Sequence, residues 1–159
     1  MILVNMFKKI LVPIDGSPHS EKAIRTALSI IKIDENALLT LLHVIEPTIL
    51  HSAAPRYDTL PAITPTITMS EDSKIVDMKR GYEILKWGKE IVVMSGINVN
   101  LETKVTVGSP EDEIVREASQ GDYDLIVIGS DKPKGIKGIG AGLVSKLIKN
   151  TPCSIMIIK

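Results

Sequence analysis

The sequence has one cysteine, 3% aromatic residues, no net charge and no long apolar run, and each scarcity excludes something. A lone Cys153 has no partner for an intramolecular disulfide, so a reducing compartment is the simpler expectation. It lies in the apolar run 153–158, where a buried, inert thiol is the first reading. A reactive or metal-bound cysteine would want charged or histidine neighbours, and none adjoins it. With so few rings the core must be aliphatic, built from Ile, Val and Leu. Basic residues (19) balance acidic ones (19), so the basic excess of a nucleic-acid binder is missing. No stretch approaches the ~18 apolar residues of a membrane span. The segment Met1–Lys9 carries its charge after its apolar residues and has no cleavage-site pattern. A cytoplasmic protein with neither nucleic acid nor membrane as partner is expected.

What is present is alternation. The 159 residues suit a single domain, 1–159, and a chain of this length buries about 68–70% of its unfolded surface. Lys9–Ile14 is a short apolar run of the kind covered on both faces. Ser17-Pro18 then reads as an N-cap followed by proline at the first helical position, with Ala23, Ile24, Ala27, Leu28 and Ile31 at helical spacing. A second buried strand covers Ala37–Ile45. From Glu46 to Met69 four prolines break every pattern, which predicts a mobile insertion or, alternatively, a lid. A helix follows from Ser70 to about Gly96, with Ile75, Met78, Tyr82, Leu85 and Val92 read as its inner face and Trp87 as cover for its seam. The alternating strand Val99–Val107 belongs near a sheet edge. A helix capped at Gly108–Glu111, a strand at Asp124–Gly129, a glycine-rich loop, a short helix at Leu143–Asn150 and a last strand at Cys153–Ile158 complete the chain. Strand–helix alternation throughout predicts an α/β fold, a doubly wound, five-stranded parallel sheet.

In such sheets ligands bind beyond the carboxyl ends of strands, where strand order reverses. Two ends carry suggestive residues. After the first strand, Asp15 is placed to accept from a ribose hydroxyl or an adenine amino group, or equally to cap the next helix. After the fourth strand, the loop Gly129–Gly142 offers exposed N–H groups and lysines to a phosphate; a plain flexible connection is the other reading. It is not a Walker A loop, and no nucleophile elbow or metal-ligand spacing is present. His43, inside an apolar strand, reads as a satisfied core or strand-end histidine.

Five segments in order, Lys9–Ser17, Leu41–Val44, Val107–Pro110, Asp124–Ser130 and Asn150–Ile158, resemble the universal stress protein family over nearly the whole chain. The resemblance implies strand order 3-2-1-4-5, an adenine nucleotide alpha hydrolase-like arrangement, and a homodimer through the last strand, 153–158. It implies adenine and ribose against Pro13, Ile14, Asp15 and Val44. The phosphates would then run along Ile128, Gly129, Ser130, Lys132, Gly142, Leu143, Val144 and Ser145. Nucleotide-binding members resemble one another in a Gly-x2-Gly-x9-Gly-Ser/Thr loop. Here its first and third glycines are Gly129 and Gly142, but Lys132 stands for the second and Leu143 for the hydroxyl residue. Three functions follow: a module binding ATP or AMP, with or without Mg²⁺, at a degenerate site; a member acting only through protein contacts; or a slow ATPase. Binding without catalysis is the expectation.

Overall fold

A computed structural model describes residues 7–32, 36–47, 71–130 and 139–159, with side chains from 75 and 142 onward in the last two helices to begin after a gap. The elements are β1 (Lys9–Pro13), α1 (Pro18–Ile31), β2 (Leu38–Ile45), α2 (Glu71–Met94), β3 (Asn100–Val107), α3 (Pro110–Gln120), β4 (Leu125–Gly129), α4 (Ile139–Asn150) and β5 (Ser154–Ile158). All strand pairs are parallel, in the order β3-β2-β1-β4-β5. The expected topology is therefore the observed one.

β1, β2 and β4 form because they are apolar on both faces. Ile10 and Val12 of β1 point into one cluster with Leu39, Leu41, Leu125 and Val127, covered by α1 and α2. Leu11 points the other way, with Leu42, Ile126 and Ile128, under Ile114 and Ala118 of α3 and Leu147 of α4. The result is three layers with the central strands buried outright. β3 and β5 are the edges, as the alternation of β3 predicts. No described helix is long and apolar enough to cross a membrane.

Three details depart from the sequence reading. Of the expected inner face of α2, Leu85 and Val92 are buried, but Ile75 and Tyr82 are exposed and Met78 is half-buried. The buried stripe is Gly81, Leu85, Gly88, Ile91 and Val92. Its glycines let the helix lie close; a Cβ on Gly88 would stand 2.8 Å from Ile14 Cδ1 and 3.0 Å from Leu41 Cδ1. Ser109 holds the N-cap position of α3, but its hydroxyl donates to Glu111 Oε2 at 2.8 Å instead of accepting from the helix. α4 starts at Ile139, four residues before the expected Leu143. The insertion at 46–69, apart from Glu46 and Pro47, and Lys132 lie outside the described residues.

Candidate functional site

The strand order reverses between β1 and β4, because the chain turns outward to β2 and β3 and then crosses to β4. The crevice beyond their ends is where such a sheet accepts a ligand. On the β1 side, Pro13 is buried and Ile14 extends the ladder by donating its N–H to Leu42 O at 2.8 Å. His43 Nδ1 lies 2.8 Å from Ile14 O. A carbonyl only accepts, so Nδ1 carries the proton there. His43 is thus a satisfied strand-end histidine that pins the backbone just before Asp15. Val44, one residue on, is half-buried.

Asp15 is exposed at the end of this ladder, and its Oδ1 accepts from Ser17 N–H at 2.9 Å and from the Ser20 hydroxyl at 2.9 Å. Ser17 Oγ in turn accepts from Ser20 N–H at 3.2 Å, as an N-cap should, with Pro18 at the first helical position. Partial burial pushes the Asp15 carboxyl up, but the bonds from Ser17 and Ser20 outweigh it and leave it below its ordinary value. The helix-capping reading of Asp15 is the observed one. The residue organises the start of α1, and it holds a charged carboxylate at the crevice.

On the β4 side, Ile128 is buried, Gly129 and Ser130 are half-buried, and Ser130 N–H donates to Ile158 O at 2.8 Å. A Cβ on Gly129 would stand 2.4 Å from the backbone of His19 in the first turn of α1. Only glycine permits that approach. His19 was not singled out from the sequence. Its backbone joins the two strand ends, bringing Gly129 against the helix that Asp15 organises. Nothing in its side-chain type signals this; the contact is backbone to glycine.

The phosphate side is arranged differently. In a helix starting at Ile139, the N–H of Leu143 is directed to the carbonyl one turn back, so the free donors belong to the turn before it. Leu143 is half-buried and packs against the cluster that contains Leu147. Val144 is half-buried and Ser145 exposed. Gly142 is exposed, and among the described residues a Cβ there would find only Glu111 Oε1 within reach, at 4.0 Å. Across from this turn, Lys146 Nζ meets Asp112 Oδ1 at 2.6 Å.

The chain matches the Universal stress protein family over residues 6–159. It belongs to that family. Among curated relatives, the universal stress protein YxiE of Bacillus subtilis is 31% identical, covering 97% of this chain and 100% of the relative. Among solved structures, the universal stress protein of Archaeoglobus fulgidus in complex with dAMP has a TM-score of 0.62. It is 22% identical, and the match covers 98% of this chain and 100% of that one. A family protein of Arabidopsis thaliana with AMP bound has a TM-score of 0.63 at 20% identity, with 96% and 91% covered. At that identity the structural likeness establishes the fold of this universal stress protein and nothing finer.

One other concavity is an open trough of about 550 Å³ along the solvent face of α2, between Ile75, Met78, Lys79, Tyr82, Glu83 and Lys86. It shares no residue with the strand ends. At the β1 and β4 ends a carboxylate, a close-packed glycine and a helix start come together.

Proposed function

We propose that this universal stress protein binds an adenine nucleotide, AMP or ATP, at the ends of β1 and β4, and that the bound nucleotide alters its contacts with stress-related partners. The observation that carries the reading is Asp15, a charged carboxylate fixed by Ser17 and Ser20 just beyond the end of β1. It is set to accept from ribose or adenine, while Gly129 lets the end of β4 lie against the first turn of α1. AMP and dAMP in two proteins of the same fold support that choice. Mg²⁺ would accompany ATP and is not required by AMP.

Binding is favoured over catalysis by the state of Asp15. A carboxyl held below its ordinary value is a poor general base near neutral pH. The working form is inferred to be a homodimer through 153–158. β5 lies at the sheet edge with its apolar side chains half-exposed, and an unpaired edge of that kind is an aggregation hazard.

A second reading, a family member that acts through protein contacts alone, is favoured by Leu143 packing its side chain against the core and by the acid beside Gly142. Calorimetric titration with AMP, and in parallel with ATP and Mg²⁺, separates the two. The nucleotide reading expects an affinity of about 100 μM or tighter, weakened about tenfold or more in Asp15→Ala. Absence of heat with either nucleotide would favour the second reading. Unchanged affinity in Asp15→Ala would remove the site from the β1 end.

A further inference from the structure

We propose that the solvent face of α2 is a docking surface for an acidic, amphipathic helix of a protein partner. The inference is independent of the nucleotide reading, because this face shares no residue with the strand ends.

α2 holds the sheet through its inner stripe alone. Gly81 and Gly88 bring it so close that a Cβ on either would crowd His43, Ile45, Ile14 or Leu41. That packing does not account for the apolar residues on the opposite side. Ile75 is 63% exposed and Tyr82 58% exposed, and with Met78 they give an open trough of about 550 Å³ its apolar floor. Val93, 70% exposed, lies on the same line further along the helix, since steps of seven and eleven residues return to one side of a 3.6-residue turn. A second helix lays its own apolar stripe into such a trough.

Charge decides which helix. Lys79, Lys86 and Lys89 are exposed along this line, and Glu83 and Glu90 run down one flank. Glu83 stands four residues after Lys79 and Glu90 four after Lys86, yet among the described residues neither pair closes into a salt bridge. None of the three lysines lies in the last turn, where positive charge would stabilise the helix itself. They are left to meet carboxylates from outside. A concave floor flanked by acids suits a protein helix better than a lipid surface, which takes a broad apolar face and, when anionic, repels acids.

The test is fluorescence anisotropy of the full chain with a labelled synthetic helix of about 20 residues, leucine on one face and glutamate with alanine on the other. Its twin carries lysine for glutamate. The acidic helix should bind about tenfold more tightly than its twin, and the margin should shrink at high salt. Tyr82→Ser should weaken it about fivefold or more, and Lys79→Glu with Lys86→Glu should reverse the preference between the twins. Lys22→Glu, the same charge change on α1, should leave the affinity within about twofold. All these positions are exposed, so the fold does not depend on them. No binding, equal binding of the twins or unchanged affinity in the trough variants overturns the inference. Self-association of the wild type that Tyr82→Ser abolishes also overturns it, by giving the face to a second copy. Binding only to a chain shortened within 48–70 would give it to that segment. Anionic phospholipid vesicles that bind the wild type and not the trough variants would give it to a membrane.

Discussion

Two glycines of the candidate site differ in what surrounds them, and the difference can be measured. Gly129 faces the His19 backbone, which cannot yield as a side chain tip would. Gly129→Ala is expected to destabilise the fold by about 2–3 kcal/mol, seen as a lower urea midpoint, and to disturb the crevice with it. Gly142 has, among the described residues, only the far end of Glu111 nearby, and it sits in a helix. Gly142→Ala should therefore be neutral or stabilising, by up to about 1 kcal/mol. Equal losses in the two variants would mean that the close approach of β4 to α1 is not what requires Gly129. From the sequence these glycines look alike, two members of one loop pattern. Asp15 was legible as a candidate because its type and its strand-end position coincide. The role of His19 was not, because a backbone contact leaves no trace in residue type.

Elements were legible where burial is two-sided and hidden where glycine does the packing. β1, β2 and β4 were readable as apolar runs because helices cover both their faces. The inner face of α2 was read correctly at Leu85 and Val92 and missed at Gly81 and Gly88, which contribute closeness instead of apolar mass, while Ile75 and Tyr82 mimic a core stripe on the outside. The start of α4 was placed late because Gly140 and Gly142 look like loop while lying inside the helix. At this scale α3 is fastened to the sheet by Glu117, whose Oε1 accepts from Lys104 Nζ at 2.6 Å and from the Tyr123 hydroxyl at 2.8 Å. Burial pushes the Glu117 carboxyl up, but the bonds from Lys104 and Tyr123 outweigh it and hold it below its ordinary value of 4.5. A carboxyl depressed on folding contributes stability that is fully present above 4.5 and is lost as pH falls through its lower folded value. Urea midpoints should therefore drop across that acid window. Glu117→Gln should lower the neutral-pH midpoint and flatten the drop; an unchanged acid limb would place the loss on other carboxyls.

For the whole molecule the two sheet edges are treated differently. β3 carries Glu102 and Lys104, charges that discourage pairing with another chain, and no such guard stands on β5. Ile157 of β5 is 38% exposed and Ile148 of α4 is 63% exposed. If β5 pairs with its copy, Ile157→Lys should convert the dimer to monomer in light scattering while the fold survives. A wild-type chain that runs as a monomer at micromolar concentration would remove the inferred assembly. Strand alternation alone gave no access to this level, because a free edge and a paired edge have the same sequence pattern. Finally, Trp87 is the only indole in the chain, and it packs with Ile84 against the core that holds Ile14. Ile84 lies 3.5 Å from where a Cβ on Gly16 would stand. The protein thus contains its own fluorophore on the helix that touches the crevice loop. Its emission colour follows how wet that seam is, so filling of the crevice can be followed optically without attaching a dye.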